Sequence, residues 1–105
     1  MKAVGAQRDQ SAVLSLAGDI DTATVPRLNR LADELLHQPG LADFAIDFAG
    51  NTFLDSVGLG LLVRVRLECV DRGIALQLRA VPHRVQVMLH ITGLTDAFRI
   101  VGVPS

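Results

Sequence analysis

The stretch Phe53–Leu62, FLDSVGLGLL, decides how this chain is read. An acid and a hydroxyl stand side by side at Asp55 and Ser56, glycines follow at Gly58 and Gly60, and an apolar run begins at Leu61. Each glycine inside a helix costs about 1 kcal/mol against alanine. Two of them within one turn indicate that bare backbone is wanted where a helix begins.

The residues that follow carry two readings. Val63–Cys69, VRVRLEC, alternates apolar and polar side chains, and that period alone predicts a strand. Three features favour a helix. Leu62, Val65 and Cys69 keep helical spacing, with Arg64, Glu68 and Asp71 on the opposite side. Glu68 precedes Arg72 by one helical turn, the favourable order for an ion pair. Ser56 offers an N-cap and Gly73 a C-terminal stop.

Outward from this segment the pattern alternates. Ser11–Gly18 has strand length, with Ala12, Leu14 and Leu16 on one side, and residues around Lys2–Ala6 add a short edge strand. Thr24 is a fair N-cap and Pro26 falls in a first turn, after which Leu28, Leu31, Ala32 and Leu35 keep helical spacing up to His37–Gly40. Asp43–Gly50 reads as a strand with Phe44, Ile46 and Phe48 on one face, and Ile74–Arg79 as another. Pro82–Gly93 holds a helix with Val85, Met88 and Leu89 inward, and Ala97–Val101 a last short strand. Strands alternating with amphipathic helices give an α/β layout. Ser56 then lies at a strand-to-helix junction, where ligand residues of such sheets gather.

Composition bounds the function. At 105 residues the chain, 1–105, is expected to be one domain, because two cores need more length. With four Phe, no Trp or Tyr and a net charge of -1, it has neither the stacking aromatics nor the basic footprint of a nucleic-acid binder. Cys69, the single cysteine, excludes an intramolecular disulfide and reads as a small buried hydrophobe. No apolar run has signal-peptide or membrane-span length, so a soluble, cytoplasmic protein without a membrane partner is expected.

Catalytic motifs fail one by one. A nucleophile elbow needs glycine where Leu54 stands, and a dinucleotide fingerprint needs glycine where Val63 stands. No Gly-Lys-Ser/Thr occurs. His83 and His90 sit about 10 Å apart along one helix, which is poor for a shared metal. No catalytic residue, metal or cofactor is expected. Ser56 remains. A phosphate there adds about -1.5 to -2 charges beside Asp55. A helix N-terminus tolerates that charge, whereas a protein packed over the turn does not. Survival of the fold with loss of a contact is what a binding switch requires.

FLDSVGLGLL resembles the signature of STAS-domain proteins, particularly bacterial anti-sigma factor antagonists, in which Asp-Ser-(Ser/Thr)-Gly-Leu-Gly opens the second main helix. GDID, Gly18–Asp21, is similar to the family's Gly-Glu-Leu-Asp, and AIDFAGNTFLDS and ITGLTDAFRI fit in order. The resemblance implies a mixed sheet of four to five strands with helices packed on one face. It implies an unphosphorylated state that binds an anti-sigma factor serine/threonine kinase, phosphorylation of Ser56 that ends the binding, and a protein phosphatase that resets it. The expected partner surface comprises Asp21, Asp55, Val57, Gly58 and Gly60. Val57 departs from the pattern, since many members carry a hydroxyl there. That departure keeps a second reading open: a non-switching scaffold, or an accessory subunit of a signalling complex or transporter ATPase. A third is a small-molecule or nucleotide binder that uses the Gly58/Gly60 turn as an anion nest.

Overall fold

The computed structural model describes residues 2–101. Its elements are β1 (Lys2–Arg8), β2 (Ser11–Ile20), α1 (Val25–Leu36), β3 (Asp43–Leu54), α2 (Ser56–Arg72), β4 (Ala75–Arg79), α3 (His83–Ile91), a 3₁₀ turn (Thr95–Ala97) and β5 (Arg99–Val101). The five strands lie in chain order, β1 antiparallel to β2 and every later junction parallel. Three crossovers that step in one direction with right-handed connections put all three helices on one face. The expected mixed sheet with one helical layer is the observed one.

The alternations found in the sequence become the core. Ala12, Leu14 and Leu16 of β2 and Phe44, Ile46 and Phe48 of β3 are buried against Leu28, Ala32 and Leu35 of α1 and Leu62, Val65 and Cys69 of α2. From α3, Val85 and Leu89 close the layer, with Met88 partly buried at its margin.

The alternating segment Val63–Cys69 is helical. Both ends of α2 are fixed by local chemistry. At its C-terminus Gly73 takes a left-handed φ of 69°, and Ile74 N–H donates to the Cys69 carbonyl at 2.8 Å. Ile74 is buried against the core, which completes a Schellman stop. Along the helix Arg72 Nε reaches Glu68 Oε1 at 2.9 Å, the ion pair expected from the spacing. Alternation lost because two caps and a buried stripe act over the whole segment, and the helix leaves Leu67 exposed where a strand would have set it beside Val65 and Cys69.

Strand β3 runs four residues beyond the expected end at Gly50. Its pairing with β2 slips twice, between Ser15 and Ala17 and between Gly18 and Asp19, so β3 absorbs extra residues as bulges.

Candidate functional site

Parallel pairing of β2 with β3 builds the site. Asp19 stands opposite Phe53 and Ile20 opposite Leu54, so both strands end side by side. Asp55 N–H donates to the Ile20 carbonyl at 3.2 Å and ties the two exits together. The turns that carry Asp21 and Asp55 are therefore neighbours at the C-terminal edge of the sheet, although the sequence separates them by thirty-odd residues.

Each aspartate is employed by its own turn. Asp55 has extended backbone (φ -95°, ψ -174°), and its Oδ1 accepts from Val57 N–H at 2.9 Å and Gly58 N–H at 3.0 Å. Asp55 is thus the N-cap of α2, and the expectation that Ser56 caps it is corrected. A carboxylate one residue earlier reaches both orphan amides, which leaves Ser56 as the first helical residue. The Ser56 hydroxyl is exposed and makes no hydrogen bond within the described residues.

Asp21 does the same for the preceding turn. Its Oδ1 accepts from Ala23 N–H at 3.0 Å and Thr24 N–H at 3.2 Å. Thr24 occupies the N-cap position of α1, but its hydroxyl makes no cap bond to that helix; its Oγ1 accepts from Asp21 N–H at 2.9 Å. Asp21 and Thr24 brace each other across the turn, and Asp21 keeps half-buried side-chain surface at the site.

The two glycines divide. Gly58 is buried, and a Cβ on it would stand 2.5 Å from Leu54 Cδ1 and 3.1 Å from Ile20 Cγ2. Bare backbone there lets α2 sit on the ends of β2 and β3, so Gly58 offers no open surface to a partner. Gly60 is exposed, and a Cβ there would meet nothing within 4 Å. Val57 stands beside Ser56 with 42% of its surface exposed, and Phe53 is exposed just before the turn.

One residue of the site was not singled out in the sequence. Asn51 is 6% exposed, the buried polar residue among the described ones. Its Nδ2 donates to the Gly18 carbonyl at 3.1 Å and the Phe53 carbonyl at 2.9 Å. Arg84 of α3 donates through Nη2 to the Asn51 carbonyl and, at 3.1 Å, to Asn51 Oδ1. Asn51 therefore locks the GDID turn, the β3 bulge and the start of α3 together. An asparagine directly after the expected strand end at Gly50 was the available cue.

No group of three or more His, Cys, Asp or Glu that could hold a metal occurs among the described residues. His37 and Arg72 meet at 2.7 Å at the far end of the helical layer and belong to the α1–α2 clasp. The arrangement at Ser56 offers a reachable hydroxyl on a rigid, capped helix start, flanked by one apolar side chain and two acidic turns. It can accept a group transferred by another protein and can be covered by one.

A sequence model of a STAS family, described as "Mlab, STAS domain", matches residues 4–102. An anti-sigma-B factor antagonist of Staphylococcus aureus is 27% identical over 93 residues, 89% of this chain and 85% of the relative. The crystal structure of an anti-sigma factor antagonist from Mycobacterium paratuberculosis superposes with a TM-score of 0.82 at 25% identity, over 94% of this chain and 83% of that one. The phosphorylated form of the Bacillus cell fate determinant SpoIIAA shares the fold, with a TM-score of 0.78 at 16% identity over 97% of this chain and 91% of that one.

Proposed function

This chain belongs to the STAS-domain family, and from that premise we propose that it is an anti-sigma factor antagonist switched at Ser56. Unphosphorylated, it binds an anti-sigma factor that is itself a serine kinase, and so releases a sigma factor for transcription. The kinase then transfers the γ-phosphoryl group of ATP to Ser56 Oγ; the P–O bond to ADP breaks as the new one forms, and the hydroxyl proton passes to a base of the kinase. A protein phosphatase returns the serine by hydrolysis, water supplying the oxygen of the released inorganic phosphate. This chain contributes the acceptor and the surface, and no catalytic group of its own.

The observation that carries the proposal is the division of labour at Asp55–Ser56. Asp55 takes the cap, so the adjacent hydroxyl is exposed and uncommitted on a helix start that is already satisfied. A phosphate on Ser56 leaves the cap bonds in place, and the fold survives. The dianion nevertheless stands beside the Asp55 carboxylate, and a partner packed there has to desolvate both. Loss of the complex follows from electrostatics without any rearrangement of the domain. Asp21, on the neighbouring turn, and Val57 complete the contact.

Binding of the anti-sigma factors of the source genome, in a titration with ADP, tests the proposal. A protein that binds wild type and loses at least about a hundredfold in affinity for Ser56→Glu, about 2.7 kcal/mol, supports it. Equal affinity for both, or no binding protein, refutes it. Phosphopeptide mapping of the chain from its own cells gives the second arm: phosphate on Ser56 whose occupancy changes with growth and stress. Val57 favours one other reading, the non-switching subunit, because an exposed apolar side chain beside Ser56 suits a constitutive contact. Absence of phosphate on Ser56 under every condition selects it.

A further inference from the structure

Leu67 and Val70 of α2 are 57% and 66% exposed. Helix α2 buries its Leu62, Val65 and Cys69 stripe in the core, and on the next flank Arg64 Nε donates to Asn29 Oδ1 at 2.9 Å while its Nη1 meets Asp33 at 3.2 Å. On the other flank Arg66 Nε donates to the Ala97 carbonyl at 2.7 Å. The remaining side is the one that carries Leu67 and Val70, and it holds more than those two. Ser56, Gly60, Val63, Leu67 and Val70 follow one another at steps of four, three, four and three residues, the spacing that keeps one seam of a helix facing one partner helix. The seam carries no charge, and four turns of α2 make it about 21 Å long.

We propose that this seam continues the contact surface at Ser56, and that an apolar-faced helix of the anti-sigma factor lies along it. The inference rests on the function proposed above and extends it to residues that the Asp-Ser signature does not reach. Continuity selects the occupant. A helix seated on Leu67 and Val70 and following the seam covers Ser56 on the same face, so its presence and a phosphate on Ser56 exclude each other. The partner that phosphate evicts is the anti-sigma factor. Gly60 sits between Ser56 and Val63 at the point of closest approach. The domain's own packing does not need it, since a Cβ there meets nothing within 4 Å, and its use is to admit the partner's backbone.

The test uses the full chain and whichever anti-sigma factor binds wild type in the ADP titration. The double variant Leu67→Gln/Val70→Gln is expected to bind at least about tenfold more weakly. Gly60→Ala is expected to raise the thermal midpoint and yet weaken binding. Ile91→Gln, at a residue of α3 that is 76% exposed and off the seam, is expected to bind as wild type does. A double variant within twofold of wild type, alongside a Ser56→Glu protein that no longer binds, overturns the seam and leaves the proposed function standing. A double variant that converts a wild-type dimer to monomer in sedimentation, with its anti-sigma factor affinity intact, also overturns it and assigns the seam to a second copy. Ser56→Glu binding as tightly as wild type overturns the function itself.

Discussion

Gly58→Ala and Gly60→Ala are the same chemical change two residues apart in α2, and the structure sets them on different courses. Exchanging a helical glycine for alanine gains about 0.5–1 kcal/mol through the backbone entropy of the unfolded chain. At Gly60 nothing opposes the gain, because the new methyl meets no atom within 4 Å. At Gly58 the methyl arrives 2.5 Å from Leu54 Cδ1 and 3.1 Å from Ile20 Cγ2. A leucine end can swing away when it has room, but Leu54 is only 3% exposed and Ile20 is fully buried. Overpacking of that kind costs about 1–3 kcal/mol. The propensity gain is shared, so Gly58→Ala is expected to be less stable than Gly60→Ala by about 1–3 kcal/mol. In a domain of this size each kcal/mol moves the melting midpoint by about 4–8 °C. The chain has no Trp or Tyr, so far-UV circular dichroism in urea and on heating is the suitable assay. Equal midpoints for the two variants would refute the packing role of Gly58.

Three further outcomes are expected. Asp21→Ala loses both amide bonds of its turn and destabilises by about 1 kcal/mol, whereas Asp21→Asn keeps them and costs only tenths; thermal melts of the pair separate the turn from any loss of partner affinity seen in both. Asn51→Ala leaves the Gly18 and Phe53 carbonyls and Arg84 without their side-chain partner and is expected to cost about 2–3 kcal/mol, read as a lower urea midpoint; an unchanged midpoint would sink the locking role. Burial, and then the Glu68 charge, push the Cys69 thiol from 9.0 up to about 11. The unfolded chain releases that proton earlier than the folded one. Stability from this group is therefore whole below about pH 9 and is lost as pH rises toward 11, by on the order of 2–3 kcal/mol. Cys69→Ala should flatten that part of the pH profile, and a thiol reagent at pH 8 should react with Cys69 only as fast as the protein opens.

Much of this was legible from side-chain periodicity, because the strands and helices bury one face each. Ala12, Leu14, Leu16, Phe44, Ile46 and Phe48 are core residues where alternation put them. The errors fall where backbone geometry overrides composition. Ser56 and Asp55 are both good N-caps, and only the extended conformation of Asp55 decides between them. The bulges that carry β3 past Gly50 depend on its register against β2, a long-range fact that no local window contains. Gly58 and Gly60 look alike in sequence, yet one lies under Ile20 and Leu54 and the other faces outward. Asn51 is inconspicuous in the sequence because its two distant partners, Gly18 and Arg84, are brought to it by the fold. The juxtaposition of Asp21 with Asp55 and Ser56 is a product of pairing and was available only through resemblance.

Strands laid down in chain order also give the molecule a schedule. A polypeptide leaving the ribosome N-terminus first can pair β2 with β3 and cap α2 before β4 has emerged. Both acidic turns then exist on a nascent chain whose emerged part ends near Gly73. The side-chain bonds that lock them from the last third come from Arg84 to Asn51. Emergence therefore delivers the lock after the parts it holds, and a translational pause with Gly73 outside the ribosome and Arg84 still in its exit tunnel would leave the serine displayed on a turn not yet fastened.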